Sequence, residues 1–128
     1  MSSYCTFYLK KGNNEPIDFS CYSRATEVYG AFHDYVTYVG NDDDIKYTTL
    51  TNELCSNILN DINEEINKLQ KRITQYAKHA KDPDTIEMII DLKEELDNKN
   101  FCKDFIEFMQ DIVSHGVYNN FEILANID

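Results

Sequence analysis

Cys55, Leu59, Ile62, Ile66, Leu69, Ile73, Tyr76 and Ala80 follow one another at alternating spacings of four and three residues. A stripe of that kind is the seam of a helix that must pack along a partner of comparable length. It constrains the architecture strongly and carries no chemistry. The rest of the chain has to supply the partner seam and any function.

The seam predicts a helix over about residues 51–81. Asp82-Pro83-Asp84 then reads as an N-cap, a proline at the first helical position and an acid in the first turn of a second helix. So short a connection forces that helix back antiparallel, with paired residues whose numbers sum to about 163. Ile86, Ile89, Leu92 and Leu96 form its first apolar face. The phase slips at Asp97-Asn98-Lys99-Asn100 and resumes at Phe101, Phe105, Phe108 and Ile112, with Cys102, Met109 and Val113 alongside. This predicts a break at residues 98–100 and a final helix to about His115, stopped by Gly116 in the C′ position. Tyr118, Phe121, Ile123 and Leu124 mark residues 117–128 as a tail that packs back.

Upstream the period changes to two. Cys5, Phe7 and Leu9 alternate with Thr6, Tyr8 and Lys10, and Ile17, Phe19 and Cys21 alternate with Asp18, Ser20 and Tyr22. A β-hairpin follows, turned at Gly12-Asn13-Asn14, with Pro16 at a strand start. In the symmetric register Cys5 faces Cys21, as two buried thiols or, less simply, a disulfide. Ser23 caps a helix over residues 24–36 whose Ala25, Val28, Phe32 and Tyr35 would cover the hairpin. Residues 40–44 read as a loop, and Ile45-Lys46-Tyr47-Thr48 as a third strand. The expected fold class is α+β in a single domain, 1–128. A β-hairpin or small antiparallel sheet with one helix (residues 1–48) precedes a long, coiled-coil-like antiparallel helical hairpin (49–116). A short C-terminal helix or packed tail (117–128) follows.

Charge narrows the classes of function. With 12 Lys and Arg against 23 Asp and Glu, the net charge is −11. A polyanionic nucleic acid is a poor direct partner, because binding it requires clustered bases. A basic protein surface is a better one. Asp42, Asp43, Asp44, Glu53, Asp61, Glu64, Glu65, Asp104, Glu107 and Asp111 are expected at one end of the molecule, answered only by Lys46 and Lys103. Residues 68–81 hold Lys68, Lys71, Arg72, Lys78 and Lys81, which the antiparallel return sets beside Asp84, Glu87, Asp91, Glu94 and Glu95. The acidic end then serves a basic partner, a cation or only solubility.

Catalytic and metal motifs are lacking. No CxxC, HExxH, GxSxG, P-loop or GxGxxG occurs, and the histidines His33, His79 and His115 are scattered. From Asp42, an EF-hand loop would need Gly where Tyr47 stands, although Glu53 falls at the twelfth position. Asp61, Glu64 and Glu65 lack the Glu-x-x-His partners of a di-metal bundle. No enzyme activity, metal or cofactor is expected. Tyr4, Tyr8 and Tyr22 share the hairpin face opposite the cysteines, either as an aromatic interface or beneath a second layer.

No stretch is apolar enough to span a bilayer, and Met1-Ser2-Ser3-Tyr4 lacks signal-peptide character, so the cytoplasm is the expected location. Ten lysines against two arginines fit an AT-rich genome, such as that of a low-GC bacterium or its phage. The expectation is an inhibitor that occupies a basic, nucleic-acid-binding surface of a protein target. Small size, acidity and the lack of catalytic motifs are shared with anti-CRISPR and DNA-mimic inhibitors encoded by phages and mobile elements. The alternative is a structural or adaptor protein that forms a homodimer through the heptad seam Leu59, Ile62, Ile66, Leu69 and Ile73.

Overall fold

The computed structural model describes residues 5–21, 39–42 and 45–127. Along the chain run β1 (Cys5–Lys11), β2 (Ile17–Cys21), β3 (Val39–Asp42), β4 (Ile45–Thr49), α1 (Asn52–Ala77), α2 (Pro83–Asn119) and β5 (Phe121–Ile127). The fold is α+β: an antiparallel sheet backed by a long helical hairpin. The helix expected over residues 24–36 lies outside the described residues, as do Tyr4, Tyr22, Asp43 and Asp44.

Among the described residues, five strands form the sheet in the order β2-β1-β5-β4-β3, every neighbouring pair antiparallel. The tail does pack back, but as the central strand rather than a helix or loose segment. β5 pairs along all of β1, from Cys5 opposite Ile127 to Lys11 opposite Phe121, and meets β4 on its other side. Residues 40–42, expected as loop, belong to β3, while Ile45-Lys46-Tyr47-Thr48 is a strand as expected. Gly12 turns the first hairpin with φ of 56°, a left-handed conformation that glycine adopts without penalty. A bulge between Phe7 and Tyr8 shifts the β1–β2 register, so Cys21 lies opposite Thr6 rather than Cys5. The directly opposed cysteine pair of the symmetric register is therefore not formed.

α1 begins at Thr51, whose side chain accepts a hydrogen bond from the Leu54 amide at 3.1 Å. It stops at Ala77, a turn sooner than the seam suggested, and the amides of Lys78 and His79 close the end onto Thr74 and Tyr76 carbonyls. Asp82 caps α2 through the Thr85 amide at 2.7 Å, with Pro83 at the helix start, as read from the sequence. The antiparallel register also agrees. Lys99 pairs with Glu65, the Gln110 amide donates to Asn52 and Ser56, and Ser114 donates to Asn52.

α2 is one unbroken helix of 37 residues, without the expected break at residues 98–100. The slip has a different cause. Up to Leu96 the buried side of α2 faces α1 among the described elements. From Cys102 onward Cys102, Ile106, Met109 and Val113 face the core that α1 and the sheet share. At 3.6 residues per turn, the buried direction moves by about 100° around the helix between the two halves. A rotated stripe on a straight helix thus imitates a break. Gly116 does not end the helix either. The stop is Asn120, left-handed with φ of 57°. Gly116 instead lies buried where β5 turns back, and a Cβ there would come within 2.8 Å of the Phe121 carbonyl oxygen.

The core joins one sheet face to the base of the helical hairpin. Phe7, Ile123 and Ala125 from the sheet meet Cys55, Ile58, Ile62, Ile106 and Met109. Phe7 and Phe105 pack with centroids 5.3 Å apart and planes tilted by 49°, an arrangement worth roughly 0.5–1.5 kcal/mol beyond burial. Leu124, on the opposite face of β5 beside Tyr8, is also buried. At 1.5 Å per residue α2 runs about 55 Å, against about 24 Å for a seven-residue strand. The helical hairpin therefore projects well beyond the sheet.

Candidate functional site: the acidic helical hairpin

Helical phase decides where the carboxylates point. On α1, Glu53 and Glu64 are eleven residues apart and share the face turned away from α2, while Asp61 and Glu65, four apart, share the next strip. On α2, Asp104, Glu107 and Asp111 line one strip beside the Gln110–Ser114 contacts to α1. All seven are exposed. The predicted cluster is thus spread over three strips at the base of the hairpin. Asp42 stands apart from them in β3.

Glu65 leaves the expected uncompensated set. It meets Lys99 at 2.6 Å, the one ion pair among the described residues, and both side chains are partly exposed. Lys99 was missed because residues 97–100 read as a break rather than a helix face. The converse correction concerns residues 68–81. Among the described residues, none of Lys68, Lys71, Lys78 and Lys81 pairs with Asp84, Glu87, Asp91, Glu94 or Glu95. Register alone brought them level. Phase separates them, because Lys71 and Lys78 lie on the far side of α1 from the seam, and Glu87 and Glu94 on the far side of α2.

The heptad seam is consumed within the chain. Ile62, Ile66 and Leu69 are buried, Leu59 and Ile73 are half-buried, and α2 covers them. Ile58, outside the seam yet only 1% exposed, was missed. It serves the sheet side of a helix that packs against two partners at once. Tyr8 is half-buried between β2 and β5, with buried Leu124 opposite it. That favours a covered face over an open aromatic surface at this position.

Among the described residues, several groups that could do chemistry are buried or hydrogen-bonded within the fold. Nδ1 of His115 donates to the Asp111 carbonyl at 2.8 Å, within its own helix. Cys55 and Cys102 are buried, and burial pushes the Cys55 thiol up to about 11. Two hydrogen bonds from Thr85 hold the Asp82 carboxyl below its usual range. Among the described residues, no three His, Cys, Asp or Glu converge as a metal site. An open cleft of about 420 Å³ lies between the β1–β2 turn and the end of α2, lined by Gly12, Leu50, Val117, Asn120 and Phe121. Among the described residues, its one titratable group is Glu122. No described helix is long and apolar enough to cross a membrane. Comparison with protein-family models, with curated proteins and with solved structures yields no significant match.

Proposed function

We propose that the protein is an acidic cytoplasmic binding protein that occupies a basic, nucleic-acid-binding surface of a protein target. The observation that carries this reading is the set of Glu53, Asp61, Glu64, Asp104, Glu107 and Asp111. All six are exposed on a packed pair of helices and have no cation partner among the described residues. Unpaired carboxylates held on helices raise a standing negative field that draws a basic surface in and repels nucleic acid. A phage or mobile-element origin, with the target in a bacterial defence system, is the setting that composition and charge suggest. The competing reading, an adaptor that dimerises through the heptad seam, would require α2 to be displaced from Ile62, Ile66 and Leu69.

The test compares the wild type with a variant carrying Glu53→Gln, Glu64→Gln, Asp104→Asn, Glu107→Gln and Asp111→Asn. Both are used as bait in a lysate of a low-GC bacterium, at low and at moderately high salt. The expected outcome is a nucleic-acid-binding protein retained by the wild type alone and released by salt or by added DNA or RNA. Equal recovery by both baits, indifferent to nucleic acid, overturns the proposal.

A further inference from the structure

The two helices present different outward faces. α1 shows only polar side chains there, among them Asn60, Glu64, Asn67 and Lys71. α2 does not: Ile86, Ile90 and Phe108 are 49%, 58% and 59% exposed on its outward side. At 100° per residue these three fall within about 40° of one another around the helix. Asp97, Asp104 and Asp111 lie on the same strip, with Lys93 the only lysine among them. The result is an acidic and apolar stripe about 33 Å long, on a helix whose other side is already buried.

A stripe that mixes apolar anchors with carboxylates fits one kind of partner. We infer that the outward face of α2 docks a basic amphipathic helix, with apolar residues over Ile86, Ile90 and Phe108 and Lys or Arg over Asp97, Asp104 and Asp111. Charge complementarity selects this occupant. A second copy of the chain brings the same acidic stripe and a net charge of −11, so like charges would face each other. A partner carrying charge alone would leave the exposed rings unburied, whereas anchors ringed by polar contacts supply most of the energy of an interface. The inference rests on the proposed binding of a basic surface and adds which helix makes the contact and what shape the partner takes.

The test uses three synthetic peptides of about three heptads. One has Leu at the a and d positions and Lys elsewhere; a second is its scramble, with no apolar face; the third is oligolysine. Binding is read by fluorescence anisotropy at moderate salt. The wild type is expected to hold the amphipathic peptide roughly tenfold or more tightly than the scramble. Ile90→Ser with Phe108→Ser abolishes that preference and leaves oligolysine binding unchanged. Ile86→Ser serves as a second variant should the double one lose its helical circular dichroism. Equal binding of amphipathic and scrambled peptides overturns the inference while sparing the charge-based reading. That reading fails separately if Asp104→Asn with Asp111→Asn leaves oligolysine binding at the wild-type level. A wild-type dimer in sedimentation that Phe108→Ser dissociates would name a second copy as the occupant and overturn the inference too.

Discussion

The base of the helical hairpin and its projecting end are built from the same two helices and obey different rules. At the base each helix has two neighbours, the other helix and the sheet. Phe7, Cys55, Ile58, Cys102, Ile106 and Met109 are accordingly almost wholly buried. Beyond the sheet each helix has one neighbour among the described elements. Leu69 and Leu92 are buried there, but Ile73, Tyr76, Ile89 and Leu96 are only half covered. The difference teaches that burial here depends on how many layers meet, since the apolar content of the helices is sustained along both halves.

The comparison breaks most visibly at Ile106, which has no exposed surface. Ile106→Ala should cost about 3–5 kcal/mol in urea unfolding, since both layers pack on that side chain. Leu92→Ala, at the projecting end, should cost only about 2–3 kcal/mol, because one neighbour can relax into the space left. Equal losses at the two sites would refute the two-layer account. Gly116→Ala sharpens the same point at the base. Removing a mid-helix glycine ordinarily stabilises by about 0.5–1 kcal/mol. The Phe121 carbonyl lies in the way here, and a loss of about 1–3 kcal/mol is expected.

Smaller effects mark the projecting end and its boundary. Asp82 has its carboxyl pKa lowered by the Thr85 bonds, so its contribution is present above the ordinary carboxylate range and is lost as pH falls through the folded pKa. Asp82→Ala should lower the melting temperature at neutral pH and leave it unchanged in strong acid. Glu65→Gln, on α1, removes a partly exposed pair and should change stability by no more than about 1 kcal/mol.

Much of the hairpin was legible because local signals agreed with the global fold. The seam from Cys55 to Tyr76, the Asp82-Pro83 start and the antiparallel register all follow from spacing and capping, and the structure keeps them. What stayed hidden needed knowledge of the neighbours. Ile123, Leu124 and Ala125 are buried in succession, so the pattern of β5 lacks the alternation that announces a strand. The polar residues 97–100 looked like an interruption because α2 exchanges one set of neighbours for another there. The acidic residues were identifiable by type. Their division among three strips, and the pairing of Glu65 with Lys99, depend on helical phase across a junction that the sequence presents as a break.

The position of β5 has a consequence for the order in which the molecule assembles. Cys5 pairs with Ile127, so the middle of the sheet joins its first and last described strands. On a ribosome, both flanking hairpins and the helical pair emerge before the strand that unites them. Contacts so distant in sequence close late. Until they do, β1 and β4 each carry an open edge, where a strand from another nascent chain can take the place reserved for β5.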